Sequence, residues 1–308
     1  MEKIMSNVKK IWPDFLIVGT ARSGTTSLHE YLGKHPDIFM PLQKEPSFFT
    51  FYNSAPSFKD SRNKYITSPE EYVKLFEEHG KKMAGESSTP YLYFYEKSID
   101  NIKHLVPGYR KMKIIIILRD PADRAYSQYM HMRRDLLEQL TFQQAIDEEK
   151  KRMQENFHFD YFYVDKGFYY KQVKAYLENF DDVKILFYNQ LENNSEKLLQ
   201  EVYAFLGINA AANKHELKQR NQSGEMKVKW LKKIITTRKN PVLNFFRKLM
   251  NRDTKKRLRN FVKANLLKYN LKKTEMPTNT RKQLIAVYKE DIQKLSILIQ
   301  KDLSDWLV

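Results

Sequence analysis

The sequence predicts an α/β fold in which helices flank a central parallel sheet on both faces. Runs such as Phe15–Val18 and Ile114–Leu118 are apolar throughout, which is typical of strands that are buried on both faces. Segments with a helical pattern separate these runs. Such alternation favours a parallel sheet, because each crossover between parallel strands needs a long connection that is usually a helix.

Each element follows from a local pattern. Strands are predicted where short apolar runs occur, at 14–19, 38–39, 83–87, 113–118 and 183–187. Helices are predicted at 24–34, 69–78, 97–105, 121–134, 141–155, 168–179 and 194–206. The polar stretch 209–224 is predicted to be a mobile loop. Ligands of such sheets bind beyond the carboxyl ends of the strands, where Arg22, Glu86 and Arg119 fall.

The segment after the first predicted strand indicates a phosphate-binding loop. Gly19 and Gly24 bound a turn that can direct backbone N–H groups inward, and Thr25, Thr26 and Ser27 then begin a helix. The first turn of a helix has unpaired N–H donors and the positive end of the helix dipole, so it attracts anionic oxygens. The spacing resembles that of a P-loop, and we accordingly predict a P-loop-like three-layer fold.

One position distinguishes this loop from that of nucleotide triphosphatases. Thr25 stands where the P-loop has its lysine, and the nearest cation is Arg22. The strand predicted at 113–118 ends in Arg119, whereas a triphosphatase needs a carboxylate to help to hold magnesium. An arginine suits a second phosphate better than a metal, so no metal is expected. A nucleotide kinase or triphosphatase with a degenerate loop remains an alternative.

Two elements about 100 residues apart carry a specific resemblance. The first is Arg22-Ser23-Gly24-Thr25-Thr26-Ser27-Leu28, and the second runs from Arg119 to Tyr129. They resemble the loop [KR]-x-G-T-[ST]-x-L and the element R-[DN]-P-x-[DE]-R-A-x-S-x-Y of sulfotransferases that depend on 3′-phosphoadenosine 5′-phosphosulfate (PAPS). The resemblance implies that the anionic donor nucleotide contacts Arg22, Ser23, Gly24, Thr25, Thr26, Ser27, Arg119 and Ser127.

Two further segments resemble the carbohydrate branch of that family. Lys44-Glu45-Pro46-Ser47-Phe48-Phe49 is similar to its K-E-x-x-F-F element, and Glu86 to Tyr91 is similar to its E-x-[ST]-x-x-Y segment. The resemblance implies Glu45 as the general base, with Arg22 and Lys44 as the other catalytic residues. It also implies contact with the acceptor at Lys44, Glu86, Tyr91 and His131.

The activity implied by the resemblance is in-line transfer of a sulfuryl group from PAPS to a hydroxyl or amine. The acceptor would be a carbohydrate, a glycolipid or a related small molecule. Two positions depart from the family's pattern, since most members have lysine where Arg22 stands and histidine is frequent where Ser47 stands. A binding protein that has kept the nucleotide site but lost the transfer reaction is a further alternative.

Simpler roles for the same residues also remain open. Glu45 could be only the ion-pair partner of Lys44. Arg119 could pair with one of the two carboxylates that follow it, Asp120 or Asp123. The hydroxyl of Ser127 could bond to the backbone of its own helix.

The net charge of +17 comes from one segment. Residues 214–273 contain 20 Lys and Arg against 3 Asp and Glu, while the remaining 34 basic and 34 acidic residues cancel. The segment is predicted to be amphipathic helix, and it suits solvated helix faces and closure over the nucleotide, or contact with an acidic polymer or a membrane surface. Nucleic-acid binding is not expected, because no recognition motif accompanies the charge.

The composition of the chain indicates its domain organisation and its cellular compartment. With 42% hydrophobic residues we expect one domain over 1–308, with a core at about 12–210 and a basic helical part at about 211–308. The chain has no cysteine, which excludes disulfides and thiol catalysis and suits a reducing cytosol. No run approaches the length of a membrane span, and Met1–Trp12 has no apolar signal region. We therefore expect a bacterial cytoplasmic form, with possible attachment to the inner face of the membrane.

Overall fold

The computed structural model describes residues 12–60, 65–80, 82–135, 137–210 and 275–308, together with two-residue strands at 225–226 and 271–272. Within this part, one parallel sheet has the strand order β2-β3-β1-β4-β5. The bounds are β1 Phe15–Gly19, β2 Ile38–Phe39, β3 Met83–Ser87, β4 Lys113–Leu118 and β5 Val183–Phe187. The predicted parallel sheet is therefore confirmed.

Helices connect the strands and cover the sheet. Their bounds are α1 Thr25–Leu32, α2 Phe48–Phe51, α3 Pro69–Lys74, α4 Pro90–Tyr93, α5 Tyr95–Leu105, α6 Pro121–Arg134, α7 Phe142–Asp147, α8 Glu149–Gln154, α9 Tyr169–Asn179, α10 Tyr188–Asn193, α11 Ser195–Leu206 and α12 Thr278–Leu298. The two short strands, β6 Glu225–Met226 and β7 Leu271–Lys272, pair antiparallel to each other.

The core lies on both faces of the sheet, as continuous apolar strands require. In β1, Phe15 and Ile17 pack into one hydrophobic cluster and Leu16 and Val18 into the other, and all four are fully buried. The C-terminal helix α12 buries a stripe at helical spacing against the larger cluster, with Leu284, Tyr288, Ile292 and Leu295. The predicted helical C-terminal extension is thus confirmed for this part.

Several boundaries differ from the prediction. The helix predicted at 141–155 is interrupted at Glu148 and forms α7 and α8, and a capping box of Thr141 and Gln144 begins α7. Helix α3 ends at Lys74 and not at residue 78. The short helices α2, α4 and α10 were not predicted, because four to six residues carry little periodicity.

Two further predictions fall on other parts of the chain. The loop predicted at 209–224 and the basic segment 214–273 lie outside the described residues, apart from positions 209 and 210 and the strands β6 and β7. Among the helices that the structure describes, none combines the length and the apolar character needed to cross a bilayer.

Candidate active site

The two predicted phosphate elements meet at the carboxyl edge of the sheet. Strand β1 leads through the loop 20–24 into α1, and the neighbouring strand β4 leads through Arg119 into α6. The Arg22 Nε donates a hydrogen bond to the Ser127 hydroxyl at 3.3 Å, and the Arg119 Nη1 donates to the Arg22 carbonyl at 3.1 Å. The fold therefore brings together side chains of two elements that are far apart in the sequence.

The loop after β1 has the backbone of an anion-binding turn. Gly24 has a φ of 87°, and a Cβ atom there would lie 2.4 Å from the Leu191 side chain, so the position requires glycine. Helix α1 begins at Thr25 without a side-chain cap, which leaves its first N–H groups for an anion. The buried Ser23 hydroxyl has no hydrogen-bond partner among the described residues. These donors fit a phosphate-like group.

Positive charge is concentrated beside this loop. Burial, together with the charges of Arg134 and Arg119, lowers the pKa of the Arg22 guanidinium to about 10. The Arg119 guanidinium carbon lies 4.4 Å from the centroid of the Tyr188 ring, which fixes its plane. A bound anion would relieve the repulsion among these three guanidinium groups.

Among the described residues, Arg119 forms no ion pair with Asp120 or Asp123. Asp120 and Asp123 are instead held by Arg281 of helix α12, with N–O distances of 2.9 and 2.8 Å. Asp120 also caps α6 by accepting from the backbone N–H groups of Ala122 and Asp123. Arg119 is thereby directed towards the loop after β1.

The loop that carries the predicted base has a strained backbone. Glu45 and Ser47 both have left-handed conformations, with φ of 60° and 54°. The end of β3 holds this loop in place: the Glu45 N–H donates to the Ser87 carbonyl at 3.0 Å, and the Ser47 N–H donates to the Ser88 hydroxyl at 2.9 Å. A strained backbone persists only where the surrounding contacts hold it, and such strain is common at functional sites.

The Glu45 carboxylate is held by three donors and still reaches solvent. The Lys44 ammonium lies 2.5 Å from Oε1, the Thr89 N–H donates to Oε2 at 2.8 Å, and the Thr89 hydroxyl lies 3.2 Å from the same oxygen. The side chain is 35% exposed. The ion pair with Lys44 therefore forms, and it leaves the carboxylate accessible to an acceptor.

Glu86 and Tyr91 lie behind this loop and not on its surface. The Glu86 carboxyl accepts from the Tyr72 hydroxyl at 3.2 Å and from the Ser88 hydroxyl at 2.5 Å, and burial raises its pKa to about 7. The Tyr91 hydroxyl accepts from the Phe49 N–H at 3.4 Å. The sequence predicts both residues as acceptor contacts, whereas the structure gives neither side chain a solvent-facing surface.

His131 lies one helical turn after Ser127 on α6, as predicted. The Arg134 Nη2 donates to its Nδ1 at 2.6 Å, and its Nε2 lies 3.8 Å from Asp135. Burial lowers its pKa to about 4, with Arg22 and Arg134 contributing, so the ring is neutral at pH 7. Together with His158, Asp160 and Tyr161 among others, His131 lines a cavity of about 230 Å³. Among the described residues, no group of three or more His, Asp or Glu is arranged to hold a metal.

Three contacts of the site were not predicted. Thr89 binds Glu45, Tyr188 stacks on Arg119, and Arg134 bonds to His131. Thr89 belongs to the segment from Glu86 to Tyr91, which resembles a family element, so that segment was visible in the sequence. The contacts of Thr89 and Tyr188 have no local signal, because each joins segments that follow neighbouring strands of the sheet, whereas Arg134 and His131 lie three residues apart on α6.

The loop of anion donors lies at the switch between β1 and β4, which is where open α/β sheets bind their ligands. The model of the Sulfotransferase family matches residues 13–212. The chain therefore belongs to the sulfotransferase family.

A solved structure resembles most of the chain. The crystal structure of a sulfotransferase from Alicyclobacillus acidocaldarius matches with a TM-score of 0.69 and 27% identity, covering 96% of this chain and 99% of that one. The P-loop-like three-layer fold is thus confirmed.

Curated relatives match over part of the chain. The membrane-associated sulfotransferase kil1 of Dictyostelium discoideum is 36% identical over 121 residues, or 38% of this chain. The human bifunctional heparan sulfate N-deacetylase/N-sulfotransferase 3 is 30% identical over 208 residues, or 64% of this chain. The matched part is 22% of the length of each of these relatives.

Proposed function

We propose that this sulfotransferase moves a sulfuryl group from PAPS to a hydroxyl or amine of a carbohydrate, a glycolipid or a related small molecule. The observation that carries the proposal is the convergence of Arg22, Arg119 and Ser127 beside the uncapped start of α1. A nucleotide with two anionic groups matches the two sets of donors, one in the loop after β1 and one at the junction of β4 and α6. Family membership supports sulfuryl transfer in general, and these two sets support PAPS as the donor.

Each end of the donor has its own partners in this proposal. The N–H groups of residues 24–27, the Ser23 hydroxyl and Arg22 bind the 5′-phosphosulfate. Arg119 and Ser127 bind the 3′-phosphate through charge-assisted hydrogen bonds. Arg22 stabilises the charge that develops on the bridging oxygen as the sulfur–oxygen bond breaks, with a planar fork in place of the usual ammonium.

Glu45 acts as the general base. As the acceptor oxygen or nitrogen forms its bond to sulfur, the bond from sulfur to the 5′-phosphate oxygen breaks, and Glu45 takes the acceptor's proton. Thr89 and Lys44 hold the carboxylate in position, and Lys44 also offsets charge on the sulfuryl oxygens. We infer that Glu86 and Tyr91 support the Glu45 loop from behind, and that His131 borders the acceptor.

The acceptor class rests on the resemblance of the Lys44–Glu45 element to the carbohydrate branch. The names of two relatives, one acting on heparan sulfate and one membrane-associated, agree with a carbohydrate or a glycolipid acceptor. We propose a cytoplasmic enzyme that works as one domain over 1–308. The segment 214–273 would then supply contacts to an acidic polymer or to the inner membrane face.

Calorimetry with the donor product tests this proposal. 3′-Phosphoadenosine 5′-phosphate (PAP) should bind the wild-type protein, and Arg119→Gln should weaken binding by about tenfold or more, because one charge-assisted contact is lost. Arg110→Gln is a matched control, since Arg110 pairs with Asp181 at the amino end of β4 and should leave binding unchanged. No heat with PAP, together with no transfer of label from PAPS to a panel of envelope glycans and lipids, would overturn the proposal.

A further inference from the structure

Helix α12 lies outside residues 13–212, which the family model matches, and it contacts the predicted 3′-phosphate site. Arg281, in its first turns, extends a planar fork over the start of α6. One guanidinium nitrogen lies 2.9 Å from the Asp120 carboxylate and the other 2.8 Å from the Asp123 carboxylate. Its Nε donates to the Val308 carbonyl at 3.2 Å, so Val308 also orients the fork.

A second contact from α12 reaches the same junction. The Asp291 carboxylate accepts from the N–H groups of Tyr169 and Tyr170, at 2.8 and 3.1 Å, at the start of α9. The hydroxyl of Tyr169 in turn donates to the Arg119 carbonyl at 3.0 Å. The backbone of Arg119 and the residue that follows it are therefore both linked to α12.

We propose that Arg281 is a positioning residue that sets Arg119 and Ser127 for the 3′-phosphate of the donor nucleotide, a role that rests on the proposed function. It acts through Asp120 and Asp123 and does not touch the nucleotide. Asp120 caps α6, and Ser127 follows on the same helix. Arg281 thereby fixes the direction in which α6 leaves β4.

Arg281 also compensates the negative charges of Asp120 and Asp123 beside the predicted 3′-phosphate site. Asp120 and Asp123 stand within four residues of Arg119 and place two negative charges beside a site for an anion. Burial and the neighbouring Asp123 raise the pKa of the Asp120 carboxyl, so the charge of Asp120 is poorly solvated. The guanidinium of Arg281 offsets both charges, with one nitrogen on each carboxylate. Without it, two uncompensated carboxylates would repel the 3′-phosphate.

The test compares two nucleotides that differ only in the 3′-phosphate. Affinities for PAP and for adenosine 5′-phosphate are measured by calorimetry on the full chain, with the wild type, Arg281→Gln and Arg281→Lys. We expect Arg281→Gln to weaken PAP binding by about tenfold and adenosine 5′-phosphate binding by less than about twofold. Arg281→Lys keeps the charge but not the fork, so its loss should be smaller. Arg110→Gln should change neither affinity.

Charge rescue separates positioning from a general loss of structure. Adding Asp123→Asn to Arg281→Gln removes one of the uncompensated carboxylates and should recover part of the PAP affinity, whereas a damaged fold would not recover. Two results would overturn the role of Arg281. One is an equal loss of affinity for both nucleotides, and the other is an unchanged ratio of PAP affinity to adenosine 5′-phosphate affinity in an Arg281→Gln variant that melts at the wild-type temperature. If the wild type does not bind PAP, the proposed function fails first, and that result is distinct from an Arg281 variant that binds normally.

Discussion

The proposed site has a donor end at Arg22 and Arg119 and a base end at Glu45 and Glu86, and the two ends hold opposite charges in opposite ways. At the donor end, Arg22 and Arg119 are crowded together beside backbone N–H groups. At the base end, the carboxyls of Glu45 and Glu86 are held by hydroxyl groups, a backbone N–H and the Lys44 ammonium. The first set is suited to binding an anion and the second to handling a proton.

The pKa shifts make the same distinction. Burial and neighbouring cations lower the pKa of Arg22 to about 10, so the charged form of that residue is destabilised until an anion arrives. Burial raises the pKa of Glu86 to about 7, so a proton, and not a counter-ion, relieves that residue. Substitutions should therefore divide into those that change nucleotide affinity and those that change turnover or pH dependence.

The largest expected effect separates the two ends. Glu45→Gln should lower kcat by about 10² to 10⁴, because the amide cannot take the acceptor's proton. PAP affinity should stay within about twofold, because the amide oxygen can still accept from the Thr89 N–H. The measurements are steady-state sulfuryl transfer to an acceptor found in the labelled-donor screen, and calorimetry with PAP.

Glu155→Gln is the control for this substitution. Glu155 forms an exposed ion pair with Lys59 and should retain full activity. If Glu45→Gln kept its turnover, or lost PAP binding in proportion to turnover, the assignment of Glu45 as a base confined to one end of the site would be wrong.

The donor end was the easier half to predict, and the reason is physical. Its N–H donors and glycines lie in one short loop, so spacing along the chain sets their geometry. The sheet was predicted for a similar reason, since runs such as Ile114–Leu118 are buried on both faces wherever they pair.

The base end was harder because its contacts cross between elements. Thr89 reaches Glu45 only because β3 ends beside the loop 44–47, and no local pattern contains that distance. The burial of Glu86 and Tyr91 depends likewise on the packing of Tyr72 and Phe49 against them. The pairing of Arg281 with Asp120, 161 positions apart, has no local signal either.

A smaller effect should appear in the pH dependence of stability at the base end. The pKa of Glu86 is about 7 in the folded protein and 4.5 as its ordinary value, so the native state holds the proton more tightly. The free energy of unfolding that depends on Glu86 is therefore fully present below pH 4.5 and falls as pH rises towards 7. The change is about 3 kcal/mol from the difference in pKa.

Urea unfolding of the wild type and of Glu86→Gln at several pH values from 4.5 to 8 measures this effect. The amide does not titrate, so the difference between the two curves isolates Glu86 from groups such as His29 and His131, whose lowered pKa values act in the opposite direction. Parallel curves would show that Glu86 does not hold a proton in the native state. The PAP affinity of Glu86→Gln should equal that of the wild type, because Glu86 belongs to the base end and does not contact the nucleotide.

The smallest expected effect belongs to the donor end alone. The ring of Tyr188 lies 4.4 Å from the guanidinium of Arg119 and also within 3.6 Å of where a Cβ atom on Gly24 would lie, so it supports both phosphate elements at once. Tyr188→Leu removes a cation–π contact of about 0.5 to 2 kcal/mol and should weaken PAP binding by about twofold to about thirtyfold, with kcat at saturating donor unchanged. Tyr188→Phe keeps the ring and should bind PAP like the wild type. Equal losses in both variants would mean that the hydroxyl, and not the ring, holds Arg119, and a fall in kcat alone would show that the two ends are not separable.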